Sequence, residues 1–203
     1  MKKSICWMAI MAANLYGARP FVTDDAGIVP SAGFELELGY EFWKDEGIFA
    51  VGFKHGLTEK MDIGIGFGYN LISGPKNSFS GSELCLKYCF IPDMLAASFS
   101  AGFDGSGYCL NGIFTRCFGA LEADANFGYS TADSSITFGL AFIYGLERLA
   151  FGLECAGDDD GLQNWLAGGK YHIVEDFAVD LGISGGFEED IGNVATVGLH
   201  YEF

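Results

Sequence analysis

Proline is scarce in this chain, with 4 in 203 residues, and basic side chains number only 11 against 27 acidic ones. The first shortage excludes collagen-like and proline-rich architectures. The second leaves a formal net charge of −16, which repels polyanions and excludes nucleic acid as a partner. Half of the residues are hydrophobic, yet beyond the N-terminus no run approaches the roughly eighteen apolar residues that a membrane helix needs. Cysteines occur, but never at the CxxC spacing of a metal or redox site. The glycine-rich strings have no following helix that would make them a nucleotide loop. What is abundant is glycine, at 30 positions, and aromatic side chains, at 15%, spread through short alternating segments. The length fits one domain.

The first eighteen residues, MKKSICWMAIMAANLYGA, have the layout of a secretory signal peptide. Lys2 and Lys3 form the charged start, Ile5 to Leu15 the apolar core, and Tyr16-Gly17-Ala18 the cleavage region. Loss of the two lysines takes the net charge from −16 to −18. Cys6 leaves with them, and Cys85, Cys89, Cys109, Cys117 and Cys155 remain, an odd set that cannot pair fully within one molecule. Cys85 and Cys89 would stand about 13 Å apart along one strand, too far for a disulfide, so no disulfide framework is expected.

A period of two dominates the rest of the chain. In Gly33–Trp43, the residues Phe34, Leu36, Leu38, Tyr40 and Phe42 share one face, and Glu35, Glu37, Gly39 and Glu41 the other. Met61–Leu71 repeats the pattern, with Ile63, Ile65 and Phe67 against Asp62, Gly64 and Gly66. Such runs predict strands at 33–43, 48–57, 60–72, 81–91, 94–104, 107–117, 119–130, 135–146, 148–156, 163–174, 176–187 and 191–203. The sixth is the least regular. Tight connections such as Leu57–Lys60 and Gly145–Arg148 alternate with generally longer, acidic and Gly/Ser-rich ones such as Ser73–Ser80 and Ala156–Gln163. Short turns at the periplasmic end and longer loops outside are the pattern of bacterial outer-membrane barrels.

A soluble sandwich would also alternate, but its strands are usually five or six residues long. Here the runs have the roughly 9–11 residues that cross a bilayer at a tilt. Aromatics including Tyr40, Trp43, Tyr69, Tyr88, Tyr129, Trp165 and Tyr201 fall near strand ends, as interface girdles do, and the chain stops on Phe203. The reading is an all-β, antiparallel, up-and-down transmembrane barrel of about twelve strands spanning 33–203, in the outer membrane of a Gram-negative bacterium. Residues 19–32 form a leader that caps the periplasmic mouth or threads into the lumen. The expected partners are outer-membrane lipid, small-molecule or cation solutes, and the barrel insertion machinery through Phe203.

Arg19-Pro20-Phe21-Val22-Thr23-Asp24-Asp25-Ala26-Gly27, followed by Gly33-Phe34-Glu35-Leu36-Glu37, resembles the opening of a family of outer-membrane proteins described as transporters of phenol-degradation pathways. His55–Gly64 is similar to that family's second hairpin. The resemblance is sharp over the first third of the chain and general beyond it, and the outer loops here are shorter. It implies an outer-membrane location and a transport role, with Arg19, Pro20, Thr23, Asp24, Asp25 and Gly27 as the family motif. It implies no catalytic residue.

If the apolar face meets lipid, the other face lines the lumen. That places Glu35, Glu37, Glu41, Asp62, Glu83, Asp104, Glu122, Asp124, Glu154, Asp180 and Glu202 inside, together with Lys54, Lys87, Lys170, His172 and His200. So many carboxylates require water or partners. Inward glycines such as Gly139, Gly152, Gly168 and Gly182 leave space beside the wall. The expectation is a narrow, hydrated, cation-favouring path, with a self-paired, plugged lumen in a structural or surface-interaction barrel as the alternative. His172, Asp180 and His200, with Glu35, Glu37 and Glu202 beside them after closure, are a lesser metal-binding candidate. Ser184 with His172 or His200 is the only conceivable catalytic pairing, without a supporting signature. No enzyme activity and no cofactor are expected.

Overall fold

The computed structural model describes residues 20–43, 46–72, 78–103, 105, 107–187 and 192–203. The predicted signal peptide, Arg19 and Asp104 lie outside them. The strands are β1 (Phe34–Trp43), β2 (Glu46–Thr58), β3 (Met61–Ile72), β4 (Ser78–Ile91), β5 (Leu95–Gly102) and β6 (Tyr108–Phe118). The other half holds β7 (Leu121–Ser130), β8 (Ser135–Leu146), β9 (Leu149–Asp158), β10 (Gly161–Val174), β11 (Phe177–Gly186) and β12 (Val194–Glu202). Each strand pairs antiparallel with its sequence neighbours, and β1 pairs with β12, closing a twelve-stranded barrel.

The alternation foreseen in the sequence sets the two faces. Phe67, Leu84, Phe99, Phe114, Phe127, Phe142, Leu153 and Leu181 stand exposed on the outside, while Glu37, Asp62, Lys87, Asp124, Glu154 and Asp180 are buried. This is a soluble protein turned inside out, and an apolar belt of that extent has no partner among the described residues. Closure is sealed where the termini of the sheet meet. Phe34 and Phe203 exchange both backbone hydrogen bonds, at 2.8 and 2.9 Å. Their rings stack at 5.4 Å, and Phe203 stacks on Tyr201 at 5.3 Å.

Strand ends differ modestly from the sequence reading. β2 starts at Glu46 because Trp43 pairs with Glu46, carrying the ladder closer to the turn than the side-chain alternation shows. β4 begins at Ser78 because Asn70 pairs with it. β6 owes its irregular pattern to Ile113, which points inward and packs with Ala96 and Ala26 at 1% exposure. One end of the barrel carries tight turns, as at Gly119, whose φ of +67° suits glycine. The other end carries the generally longer connections.

Replacing Ile65 with Arg on the outer face of β3 is expected to cost about 2–4 kcal/mol in a bilayer, whereas Ser100→Thr on the inner face of β5 stays within about 0.5 kcal/mol. Denaturant unfolding in lipid vesicles measures both, and equal costs would mean the faces are reversed.

Candidate functional site

The lumen is built by two things, the inner wall and the segment before β1. Residues 20–32 are too polar for a lipid-facing strand, and Pro20 and Pro30 cannot donate to a ladder. They run inside the barrel. Beginning at Ser31, which bridges Gly56 of β2, the segment can be followed backwards along the wall. Val29 N donates to Asp62 Oδ2 of β3 at 3.0 Å, and Ala26 N to Thr115 Oγ1 of β6 at 2.8 Å. Asp24 N donates to Asn126 Oδ1 of β7 at 2.8 Å, and Asn126 Nδ2 returns a bond to Asp24 O at 2.7 Å. Val22 N and Thr23 N share Glu154 Oε2 of β9, at 2.8 and 2.7 Å. Lys87 of β4 crosses to Asp24 Oδ1 at 3.0 Å.

The segment is therefore a strap, with the backbone donors of Val22, Thr23, Asp24, Ala26 and Val29 satisfied by wall side chains, as buried amides require. Three of its apolar residues are buried, with Phe21 at 4%, Ala26 at 0% and Val29 at 6% exposure. Inward glycines make room for it. A Cβ on Gly139 would lie 2.6 Å from Thr23 Oγ1, one on Gly152 2.9 Å from Phe21 Cζ, and one on Gly168 2.6 Å from Pro20 Cγ.

Of the motif residues, Pro20, Thr23, Asp24, Asp25 and Gly27 lie in this strap, and Asp25 Oδ1 accepts from Gly27 N at 2.6 Å. Barrel closure sets Glu35 and Glu37 of β1 opposite Glu202 and His200 of β12. Lys54 of β2 bridges Glu35 at 2.6 Å and Glu37 at 3.5 Å. His200 reaches Glu202 through Nε2 at 2.9 Å and Glu37 through Nδ1 at 3.4 Å. Glu35, His200 and Glu202 offer ligand atoms within 4.8 Å of one another. His172 and Asp180 are not in that group: His172 pairs with Ala178, and Asp180 with Gly198 and Lys170. The Lys54 ammonium already neutralises part of the cluster, so a divalent ion would compete with it.

The remaining predicted residues are spread along the inner wall. Asp124 accepts from Thr115 Oγ1 at 2.6 Å, and Glu122 from Cys117 Sγ at 3.5 Å. Glu41 is half-buried near the loop end of β1, and Glu83 faces inward on β4. Thr115, Asn111 and Asn126 were not among the sequence candidates, although they anchor or flank the strap. Their signal was the shared face of Asn111, Ile113 and Thr115 in the strand with the least regular alternation. The free cysteines Cys85 and Cys89 are buried on the inner face.

The strap separates two chambers. The one toward the tight-turn end, about 240 Å³, is lined by Lys54, Lys87, Lys170, His172 and His200 among acids. The one toward the loop end has about 180 Å³ and no basic residue among its described lining.

An apolar exterior, a closed ladder and a charged interior define a transmembrane-type β-barrel. No protein-family model matches the chain, and neither does any curated protein. Among solved structures it is similar to the KdgM porin, with a TM-score of 0.65 and 13% identity over 83% of this chain and 99% of that one. That porin is also known in complex with disordered oligogalacturonate. An outer-membrane channel from Pseudomonas putida F1 matches with a TM-score of 0.61 and 11% identity, over 88% and 98% of the two chains. Outer membrane phospholipase A from Escherichia coli matches with a TM-score of 0.52 and 13% identity over 97% of each. At these identities the likeness establishes the fold, that of outer-membrane barrels.

Gly139 is a probe of the strap, because the three atoms nearest its would-be Cβ all belong to Thr23. Gly139→Val is expected to leave the barrel folded and make residues 20–32 cleavable by protease, read by N-terminal mass analysis of the heat-modifiable band. Unchanged protection would mean that the strap is not seated there.

Proposed function

We propose that this chain is a bacterial outer-membrane channel that passes small solutes, cations preferentially, around a strap formed by its own residues 20–32. The observation that supports it best is the polar, charged inner wall, with a chamber on each side of the strap and an unbroken apolar belt outside. The tight-turn end is then periplasmic and the loop end extracellular. Residues 1–18 serve export, and Phe203 addresses the insertion machinery. The resemblance of the strap motif to the phenol-degradation transporter family points the same way.

The charge preference comes from the wall. Inward carboxylates outnumber Lys54, Lys87 and Lys170, and a low-dielectric wall focuses their field. Some of that charge is already engaged by Lys54, Lys87 and His200. Asp62 and Glu154 accept bonds from the strap.

The second reading, a plugged structural barrel, is favoured by the number of bonds fixing the strap. A catalytic reading has less support. Ser184 pairs with Val194, six positions along β11 from Ala178, which pairs with both His172 and His200. That is roughly 20 Å, out of reach for a nucleophile and its base.

Planar-bilayer conductance with a salt gradient separates these readings. The full chain is expected to conduct with a cation-selective reversal potential, sharpest at low ionic strength. Removing residues 20–31 is expected to raise conductance severalfold. Current only after removal would establish the plug, and anion selectivity would defeat the proposal.

A further inference from the structure

Cys85, Cys89, Cys109, Cys117 and Cys155 are all free thiols. Two of them face each other across a single residue. Ser100 of β5 pairs with Cys85 of β4 on one side and with Cys109 of β6 on the other. Residues directly opposite in an antiparallel ladder share a face, so the three side chains form one row on the inner wall. All three line the chamber on the loop side of the strap, and Cys85 borders the other chamber as well. Two ladder steps put the cysteine Cα atoms about 10 Å apart. A disulfide needs about 4.4–6.8 Å between them, so this pair does not oxidise to one.

We infer that Cys85 and Cys109 together hold a soft monovalent metal ion, Cu(I) or Ag(I), as a two-coordinate dithiolate. The inference stands whether or not the lumen conducts. A metal–sulfur bond of about 2.3 Å sets the sulfurs of a linear S–metal–S unit about 4.6 Å apart. On a concave wall inward Cβ atoms converge, and each cysteine closes the remaining gap by turning its Sγ over Ser100. A spacing too wide for a disulfide is therefore the spacing of a bridging ion.

Ser100 suits that arrangement. It is small, and its hydroxyl donates to Glu83, the next inward residue of β4 toward the loops. A large side chain in its place would fill the space between the thiols. Cys109 is half-buried and Cys85 buried, and both are reached from the chamber.

The choice of metal follows from the ligands. Cysteine binds metals as thiolate, so the ion must displace two protons. Soft ions do this because thiolate is the ligand they prefer, whereas Mg²⁺ and Ca²⁺ prefer carboxylate oxygens. Zn²⁺ calls for a tetrahedron of ligands, which a row of two thiols does not offer. In balance, one monovalent ion and two S–H groups give one S–metal–S unit carrying a single negative charge, and two protons pass to water. Nothing is oxidised or reduced.

The test loads the full detergent-solubilised chain, reduced and freed of reductant, with one equivalent of Ag⁺. X-ray absorption at the silver edge is expected to show two sulfur neighbours, and a pH-stat two protons released per ion bound. Cys85→Ser and Cys109→Ser are each expected to lower silver affinity roughly tenfold or more, in competition with thiourea, and to leave one sulfur on the ion. Cys89→Ser and Cys117→Ser are expected to change neither. Heat-modifiability on gels shows that each variant is folded. One sulfur per silver in the unaltered chain would overturn the site, and that reading needs no variant to fold. So would unchanged affinity in Cys109→Ser, or a Cys85–Cys109 disulfide in air-oxidised protein, which would set the thiols too close for a bridging ion.

Discussion

Everything in this molecule depends on closing the ladder between β1 and β12. A strand edge in hydrocarbon leaves amides with neither water nor protein partners, at several kcal/mol each. The eight register pairs from Glu35–Glu202 to Phe42–Ala195 abolish that edge. They also assemble the charge cluster. Glu37 meets His200 across the seam, and Lys54 arrives from β2 on the other side of β1. The cluster exists only in the closed state, so its residues, distant in sequence, report on closure.

The strap follows from the same demand applied inside. A segment with two prolines cannot join the wall, yet its backbone donors are buried in the lumen. Four wall side chains on β3, β6, β7 and β9 accept them. Two of these acceptors are the carboxylates of Asp62 and Glu154. A carboxylate accepting backbone N–H groups forms charge-assisted bonds, stronger than neutral ones. The inner acids therefore serve two ends, anchoring a peptide and setting the field of the space beside it.

Much of the architecture was legible in the sequence, for a physical reason. A strand whose two sides face lipid and water must alternate, and Phe34 to Phe42 or Met61 to Leu71 do so without exception. Twelve strands and their faces follow from such runs. The course of the strap was not legible between two alternatives, a cap and a threaded segment, because hydrogen bonds from Ala26 to Thr115 or from Asp24 to Asn126 leave no periodic trace. Register was legible in part, since Glu35 meets Glu202 and both His172 and His200 pair with Ala178 as expected. Asp180 had been grouped with His172 and His200, but pairing sets it beside Lys170 and Gly198, two positions along its strand from Ala178.

The inner glycines join these points. Alternation alone explains why Gly139, Gly152, Gly168 and Gly182 face inward, but not why they are glycine. Three of them sit beneath Pro20, Phe21 and Thr23 so closely that a methyl group would collide. On Gly152 and Gly168 the neighbouring strand's carbonyl oxygens crowd the same space, so wall and strap both exclude a side chain there. On Gly139 the three nearest atoms all belong to Thr23 of the strap. The row is thus a track cut into the wall on β8, β9 and β10 for the first residues of the strap. On the facing side, β3, β4 and β6 instead hold it with Asp62, Lys87 and Thr115. One side of the lumen fits the strap by shape, with Glu154 of β9 adding two bonds, and the other holds it by polar bonds. Shape sets where the strap can lie, and the bonds set its register along the wall.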